Sequence, residues 1–308
     1  MKENKILVIV GSTASGKSDL AVELALKFNG EIISADSRQV FKGLDIGSGK
    51  ITQAERRGVP HHLLDVVYPR TIFTVTKFQK LARKKITEIL AKGKLPIVCG
   101  GTGLYIKAII DNVDFPKVKP DLKLRADLEK KSTDELLKIL QKLDSAKASE
   151  IDSKNPRRLI RAIEISTSLG LGNLVTKFPL GNLITKWEML QIGIKIDREV
   201  LKEKIANRFL KRVKQGIIQE AKKLHQTGLT YKRFSEIGLA HKYLALYLQG
   251  KISKEEFIRE SIKAEQKYAK RQMTWFQRDQ RIHWFALTDK QKTINLVHNF
   301  LLGGSISK

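Results

Sequence analysis

The sequence predicts an α/β fold, a P-loop NTPase-like parallel sheet flanked by helices, with an all-helical subdomain inserted into it. Three observations carry that expectation. Residues 5–10, KILVIV, form the continuous apolar run that a strand buried on both faces requires. They run directly into GSTASGKS at residues 11–18, a complete G-x-x-x-x-G-K-[ST] pattern. Short apolar runs then alternate with helix-length amphipathic stretches, the rhythm of βαβ units.

In chain order, Ile6–Val10 reads as the first strand and Lys17–Phe28 as the helix opened by the glycine loop. Glu31–Ala35 is a second strand ending at Asp36. Thr76–Ala91 is an amphipathic helix, and Leu95–Cys99 is an apolar strand running into GGTGLY. Ligands of such sheets sit at the carboxyl ends of the strands, where Asp36, Ser37 and Gly100–Thr102 fall beside the phosphate loop. The character changes at Phe115–Pro120, after which residues 121–169 read as helical, with apolar spacing at Leu136, Leu137, Leu140 and Leu143. GNLVTK and GNLITK within 172–186 form a near-duplicate too short for a repeat architecture, and read as a loop or hairpin. Gln191–Ile196 returns to the sheet, and the remainder reads as long helices. The expected division is a core of residues 1–114 and 191–308 with a helical insertion at 115–190.

A chain of 308 residues can bury a substantial core. Its only cysteine, Cys99, leaves no disulfide framework and no cysteine-based zinc site. The first strand follows the initiating MKENK at once, and no apolar run approaches the roughly 20 residues of a membrane span. A cytoplasmic protein with no membrane partner, acting as a monomer, is the expectation. Lys plus Arg number 58 against 32 acidic residues, a net charge of +26. From Lys195 to Arg281 there are 22 basic and 10 acidic residues, so nearly half the excess lies in that stretch. A polyanionic partner, nucleic acid above all, is favoured over charge serving solubility alone.

The phosphate loop aims several backbone N–H groups at one point, and Lys17 adds a cation there. Ser18 offers a hydroxyl for Mg²⁺. These features make Gly11, Ser12, Thr13, Ala14, Ser15, Gly16, Lys17 and Ser18 a diphosphate- or triphosphate-binding segment. Asp36, at a strand end, either accepts a proton from a substrate or caps the turn that follows. Asp45 with Gly43, Gly47 and Gly49 suggests a tight loop over the site. Adjacent His61 and His62 share no helical face and argue against a metal site; Asp65 either holds Mg²⁺ through water or ends a strand. Thr102, between two glycines, either reaches a phosphate oxygen or belongs to a tight strand-to-helix turn. NPRRLIRAIE clusters Arg157, Arg158 and Arg161. The 262–284 stretch places Lys263, Lys267 and Arg271 at i, i+4 spacing with Lys270 and Arg278, interleaved with Tyr268, Trp275 and Trp284. Those aromatics suit either base stacking on RNA or the core.

Taken together, the segments resemble the bacterial tRNA dimethylallyltransferases, the isopentenyl-diphosphate:tRNA transferases. GSTASGKS, ISADSRQVFKGLDIGSGK, PHHLLDV, CGGTGLYIKA, NPRRLIRAIE, KIDREVL…NRF and YAKRQMTWF match in order, from residue 6 to about 285. The resemblance implies that the loop binds dimethylallyl diphosphate instead of ATP. It implies transfer of the five-carbon group to the exocyclic N6 amine of the adenine 3′-adjacent to the anticodon of tRNA, position 37. Asp36 would be the general base. Lys17, Thr102, Arg208 and Mg²⁺ on Ser18 would stabilise the departing diphosphate. Asp36, Ser37, Arg38, Gln39, Arg125, Arg157, Arg158, Leu159, Ile160, Arg161, Lys263, Lys267, Lys270 and Arg271 would hold the anticodon stem-loop. The chain departs from the family at Ser12, where Pro is usual, at Phe41, where Tyr is usual, and at Ser48–Ile51, where T-A-K-P is usual. EIGLAHKYL, residues 236–244, replaces G-Y-[KR]-E, and Leu239 takes the place of an aromatic.

Two other functions share part of this pattern. A P-loop nucleotide or small-metabolite kinase would use the same loop for ATP and Asp36 to activate a hydroxyl, but it needs neither +26 nor the long helical insertion. A non-catalytic RNA-binding protein switched by a nucleotide needs no aspartate and Gly-Thr-Gly turn beside the loop.

Overall fold

The computed structural model describes residues 4–169 and 187–304; the GNLVTK and GNLITK segments lie outside them. Contacts divide the chain into two compact units, Met1–Ile110 with Thr185–Lys308, and Asp111–Ile184.

In the first unit β1 (Lys5–Val10) leads through the phosphate loop to α1 (Lys17–Phe28) and β2 (Gly30–Ser34). A one-turn α2 (Gln53–Arg56), a two-residue β3 (His61–His62), α3 (Val75–Ala91), β4 (Leu95–Gly100) and α4 (Gly103–Ile110) follow. The second unit comprises α5 (Leu122–Leu128), α6 (Thr133–Leu143), α7 (Ser145–Glu150) and α8 (Pro156–Leu169). The first unit resumes with β5 (Glu188–Lys195), α9 (Arg198–Gln215), α10 (Ile217–Gln226), α11 (Tyr231–Ile237) and α12 (Leu239–Leu248). It ends with α13 (Lys254–Phe276), β6 (Ile282–Ala286) and α14 (Lys290–Leu302).

The sheet has six parallel strands in the order β3-β2-β4-β1-β5-β6. β1 sits inside it, paired on both edges and buried throughout, which explains its uninterrupted apolar run. Alternation across the strand then feeds two cores. Leu7 and Ile9 join Ile32, Ile97 and Ile192 against α1 and α14. Ile6, Val8 and Val10 join Ile33 and Val98 against α3, α4 and Phe276 of α13. A third cluster brings Val40, Phe41 and Leu44, just past Asp36, against Phe209, Ile217, Phe234, Leu244 and Phe257 of α9–α13. Fully burying side chains of this size contributes about 1.5–3 kcal/mol each.

The sequence reading of long helices to the end of the chain needs one correction. Ile282–Ala286, IHWFA, is a strand paired with β5. Its β-branched and aromatic residues suit a pleated surface, and the turn through Asp279 follows the end of α13 at Phe276. Trp284 therefore packs over Gly193 of β5, and Trp275 packs against Gly103. Both are partly buried and pack against the second core cluster.

The helical unit has its own core of Leu128, Leu136, Leu140, Leu159, Ile160 and Ile163. A capping box at Ser132 and Glu135 starts α6. Glu164 is 1% exposed and accepts hydrogen bonds from Arg125 at 2.8 Å, from the Asp121 amide at 2.7 Å and from Arg161. Burial raises its pKa, but these donors win and bring it to about 2.

Candidate active site

The site forms where the carboxyl ends of β1, β2 and β4 meet α9 and α13, around a cavity of about 440 Å³. Gly16 caps α1 in the left-handed region (φ 86°, ψ 7°), a conformation open to glycine at no steric cost, so the following amides turn toward the loop's centre. Thr13, Ala14, Ser15, Gly16, Lys17 and Ser18 line the cavity. Gly11 and Ser12 are buried at the base of the loop. Lys17 Nζ donates to the Ser12 carbonyl at 3.0 Å, and burial lowers its pKa while the nearby Cys99 and Asp36 oppose that shift. The Ser12 and Ser15 hydroxyls are buried with no partner among the described residues. Unpaired hydroxyls, clustered amides and one cation fit a phosphate group.

Ser18 is exposed at the start of α1. No group of three or more His, Cys, Asp or Glu side chains among the described residues converges as a metal centre would require. A cation at the loop would draw its ligands from Ser18, water and phosphate oxygens, a donor set that suits Mg²⁺.

Asp36 follows β2 and lines the cavity. Both sequence readings of it meet here. Oδ1 accepts from the Arg38 amide at 2.8 Å and more weakly from the Gln39 amide at 3.4 Å, which caps the turn. Oδ2 has no hydrogen-bond partner among the described residues. Thr102 lies one shell away. Its hydroxyl accepts from the Ser37 amide at 3.1 Å and donates to the Ser37 hydroxyl at 3.4 Å, so it braces the Asp36 turn and is absent from the cavity lining. Arg38 and Gln39 line the cavity, and Arg38 stacks 5.2 Å from the Tyr268 ring.

The opposite wall is helical. Arg208 of α9 donates to Thr13 Oγ1 at 3.3 Å and to the Gly49 carbonyl at 3.0 Å, which ties the phosphate loop to the 45–50 loop. Burial lowers its pKa, with Arg212 adding to that, but a guanidinium stays charged. Gly49 (φ 59°) lets the backbone pass against this guanidinium, where a Cβ would collide with it.

Several residues that sequence reasoning missed hold this wall together. Gln272, buried on α13, accepts from the Thr13 amide and donates to the Gly101 carbonyl, each at 2.8 Å, linking the two glycine turns. The Glu220 carboxylate of α10 accepts from the consecutive amides of Asp45, Ile46 and Gly47 at 2.8, 2.7 and 2.8 Å. Arg212 donates to the Gly47 carbonyl at 3.1 Å and pairs with buried Glu265. His241 lies buried beside Gly47, and burial, with Arg38 and Arg212 nearby, pushes its pKa down to about 3. Gln272 left a visible trace, since it lies within the matching stretch YAKRQMTWF, and His241 lies within the atypical stretch 236–244.

Other sequence-level readings change. Lys50 pairs with both Asp45 and Asp65 at 2.5 Å, so Asp65 serves an ion pair here and is absent from the cavity lining. His62 contacts the buried Glu31 at 2.7 Å. Leu159 and Ile160 are core residues of the helical unit, and their side chains leave the set of RNA contacts. Arg125 and Arg161 are committed to Glu164, while Arg157 and Arg158 are exposed. Lys263, Lys267, Lys270 and Arg271 are exposed on α13, with Lys263 3.0 Å from Glu260.

A phosphate loop at the end of β1, a carboxylate at the end of β2 and a guanidinium lining the same cavity define the class, an enzyme of P-loop-like fold. The chain belongs to the IPP transferase family, whose model matches residues 39–279. It is 40% identical to the tRNA dimethylallyltransferase of Carboxydothermus hydrogenoformans over 96% of this chain and 99% of that protein. It is 39% identical to the enzyme of the same name from Halalkalibacterium halodurans, with 98% of each chain covered. Among solved structures it is similar to the full-length tRNA isopentenylpyrophosphate transferase of Bacillus halodurans, with a TM-score of 0.72, 38% identity and coverage of 97% and 96%. A eukaryotic dimethylallyltransferase acting on tRNA gives a TM-score of 0.79 at 26% identity, covering 99% of this chain and 81% of that one.

Proposed function

We propose that the chain transfers a dimethylallyl group from dimethylallyl diphosphate to the N6 amine of the adenine at position 37 of tRNA, releasing diphosphate. The observation that supports this most is the shared cavity. It holds a phosphate loop, a carboxylate with one unengaged oxygen and a cation set back against Thr13. The adenine leaves its stack, at a cost of a few kcal/mol, to reach a carboxylate recessed at a strand end. Its N6 lone pair attacks the allylic carbon, and the C–O bond to diphosphate breaks with its electron pair going to the leaving oxygen. The N6 proton passes to Asp36 Oδ2, while Oδ1 keeps the carboxylate oriented through the Arg38 and Gln39 amides. Lys17, Arg208 and the loop amides face the negative charge that grows on diphosphate. Mg²⁺ held by Ser18 and phosphate oxygens would supply further charge neutralisation. Arg157, Arg158 and the exposed face of α13 are the cations we assign to the RNA backbone.

The test incubates the chain and Mg²⁺ with unmodified bulk tRNA and either labelled dimethylallyl diphosphate or γ-labelled ATP. Label is expected in tRNA from the prenyl donor alone. Transfer of the γ-phosphate to any acceptor, with no prenylation, would establish the kinase reading instead.

A further inference from the structure

The face of α9 that carries Arg208 holds two more cations that the reaction above does not use. Lys204 stands four residues before Arg208 and Lys211 three after it, so the three project from one side of the helix. All three line the cavity. The turn of α9 next to Lys204 is fixed on the phosphate loop, because Leu201 and Ile205 pack with Ala14. The turn carrying Lys211 lies by Glu55. The Thr52 amide first, and then Lys211 and Arg208, hold the Glu55 carboxyl below its ordinary range. That carboxylate is committed elsewhere: its Oε2 accepts from the Thr52 amide at 2.7 Å and the Thr52 hydroxyl at 2.9 Å, capping α2.

The four cations of this wall divide into two kinds. Arg208 and Arg212 are anchored, one by Thr13 and Gly49, the other by Gly47 and Glu265. Lys204 and Lys211 are exposed and have no ion-pair or hydrogen-bond partner among the described residues. They stand about 10 Å apart along the helix, at a rise of about 1.5 Å per residue. Flexible ammonium groups at the mouth of a cavity, with fixed guanidinium groups behind them, suit a small multivalent anion moving between water and the loop.

We infer that Lys204 and Lys211 form a capture rim for a diphosphate group, drawing the prenyl donor onto the phosphate loop and holding inorganic diphosphate as it leaves. The inference rests on the reading that this cavity takes a diphosphate-activated donor. An RNA backbone is the weaker occupant for this wall, because both lysines share the cavity with the phosphate loop, whereas the exposed cations of α13 lie outside the lining.

The test titrates inorganic diphosphate, in Mg²⁺, into the full chain and into a Lys204→Ser/Lys211→Ser double variant at low and high salt, by calorimetry. The double variant is expected to bind inorganic diphosphate about tenfold more weakly at low salt, with the gap shrinking at high salt as exposed charges are screened. Its affinity for tRNA stays within about twofold, and a Lys204→Arg/Lys211→Arg variant recovers most of the diphosphate affinity. Unchanged diphosphate affinity would overturn the inference. So would a loss confined to tRNA binding, which would make these lysines part of the RNA surface. Inorganic diphosphate binding requires no prenyl transfer, so a rim that behaves as expected in a chain that prenylates no RNA would overturn the transferase reading alone.

Discussion

The two walls of the cavity are built in different ways. The sheet-side wall is local: Gly11–Ser18, Asp36–Gln39 and Gly100–Thr102 are short consecutive stretches at strand ends, and their chemistry is largely that of backbone amides and adjacent side chains. The helical wall is assembled from distant single residues, with Arg208 and Arg212 on α9, Glu220 on α10, His241 on α12 and Gln272 on α13. Each of these reaches back to a glycine turn or to Thr13. In the proposed reaction the sheet supplies the base and the phosphate-binding amides. The helices hold the glycine turns in the one arrangement in which those groups face a common space.

Removing a helical-wall residue tests this division. Among the helical-wall residues Arg208→Ala has the largest expected effect, because it removes both the charge proposed to face diphosphate and the link between Thr13 and Gly49. Transfer is expected to fall by about 10²–10³-fold, measured as single-turnover prenylation at saturating donor. Gln272→Leu is next. It strands the Thr13 amide and the Gly101 carbonyl in the interior, a loss of about 1–3 kcal/mol, visible as a lower urea midpoint and a raised KM for the donor. If KM is unmoved while stability drops, Gln272 is only a core residue and the division between walls is too sharp.

The smallest effect concerns pH. His241 is neutral in the folded chain down to about pH 3, against an ordinary value of 6.5. Between those values the unfolded chain binds the extra proton, so stability rises with pH across that window and falls as pH drops below 6.5. Glu31 and Glu164, each held at about 2 against 4.5, add the same sign only below 4.5. His61, also lowered by burial, acts in the His241 direction. His241→Gln is therefore expected to flatten, without abolishing, the rise in stability between pH 4.5 and 6.5, followed by urea unfolding at fixed ionic strength.

The same contrast explains how much of the molecule was legible beforehand. β1, the phosphate loop, α1 and the turn at Asp36 were readable because each is set by neighbours in the chain. Helix periodicity located α8, but it could not separate Arg157 and Arg158, which are exposed, from Leu159 and Ile160, which face the core. A run of arginines gave no hint that one buried carboxylate, Glu164, takes up Arg161 and the distant Arg125. β6 was missed because five residues of mixed aromatic and aliphatic character become a strand only beside β5. Glu220 carries no local pattern, and His241 stands in a stretch noted only for its departure from the family. Their importance comes from a loop about 175 and 195 residues earlier in the chain.

In the proposed reaction Asp36 takes the N6 proton through the oxygen its own turn leaves unengaged. Asp36→Asn keeps the acceptor that caps the turn and removes the base. Single-turnover prenylation of tRNA, measured beside tRNA binding, is expected to fall by about 10²–10⁴-fold with binding within about twofold of the unaltered chain. A rate that persists in Asp36→Asn, or a loss accounted for entirely by weaker tRNA binding, would contradict it.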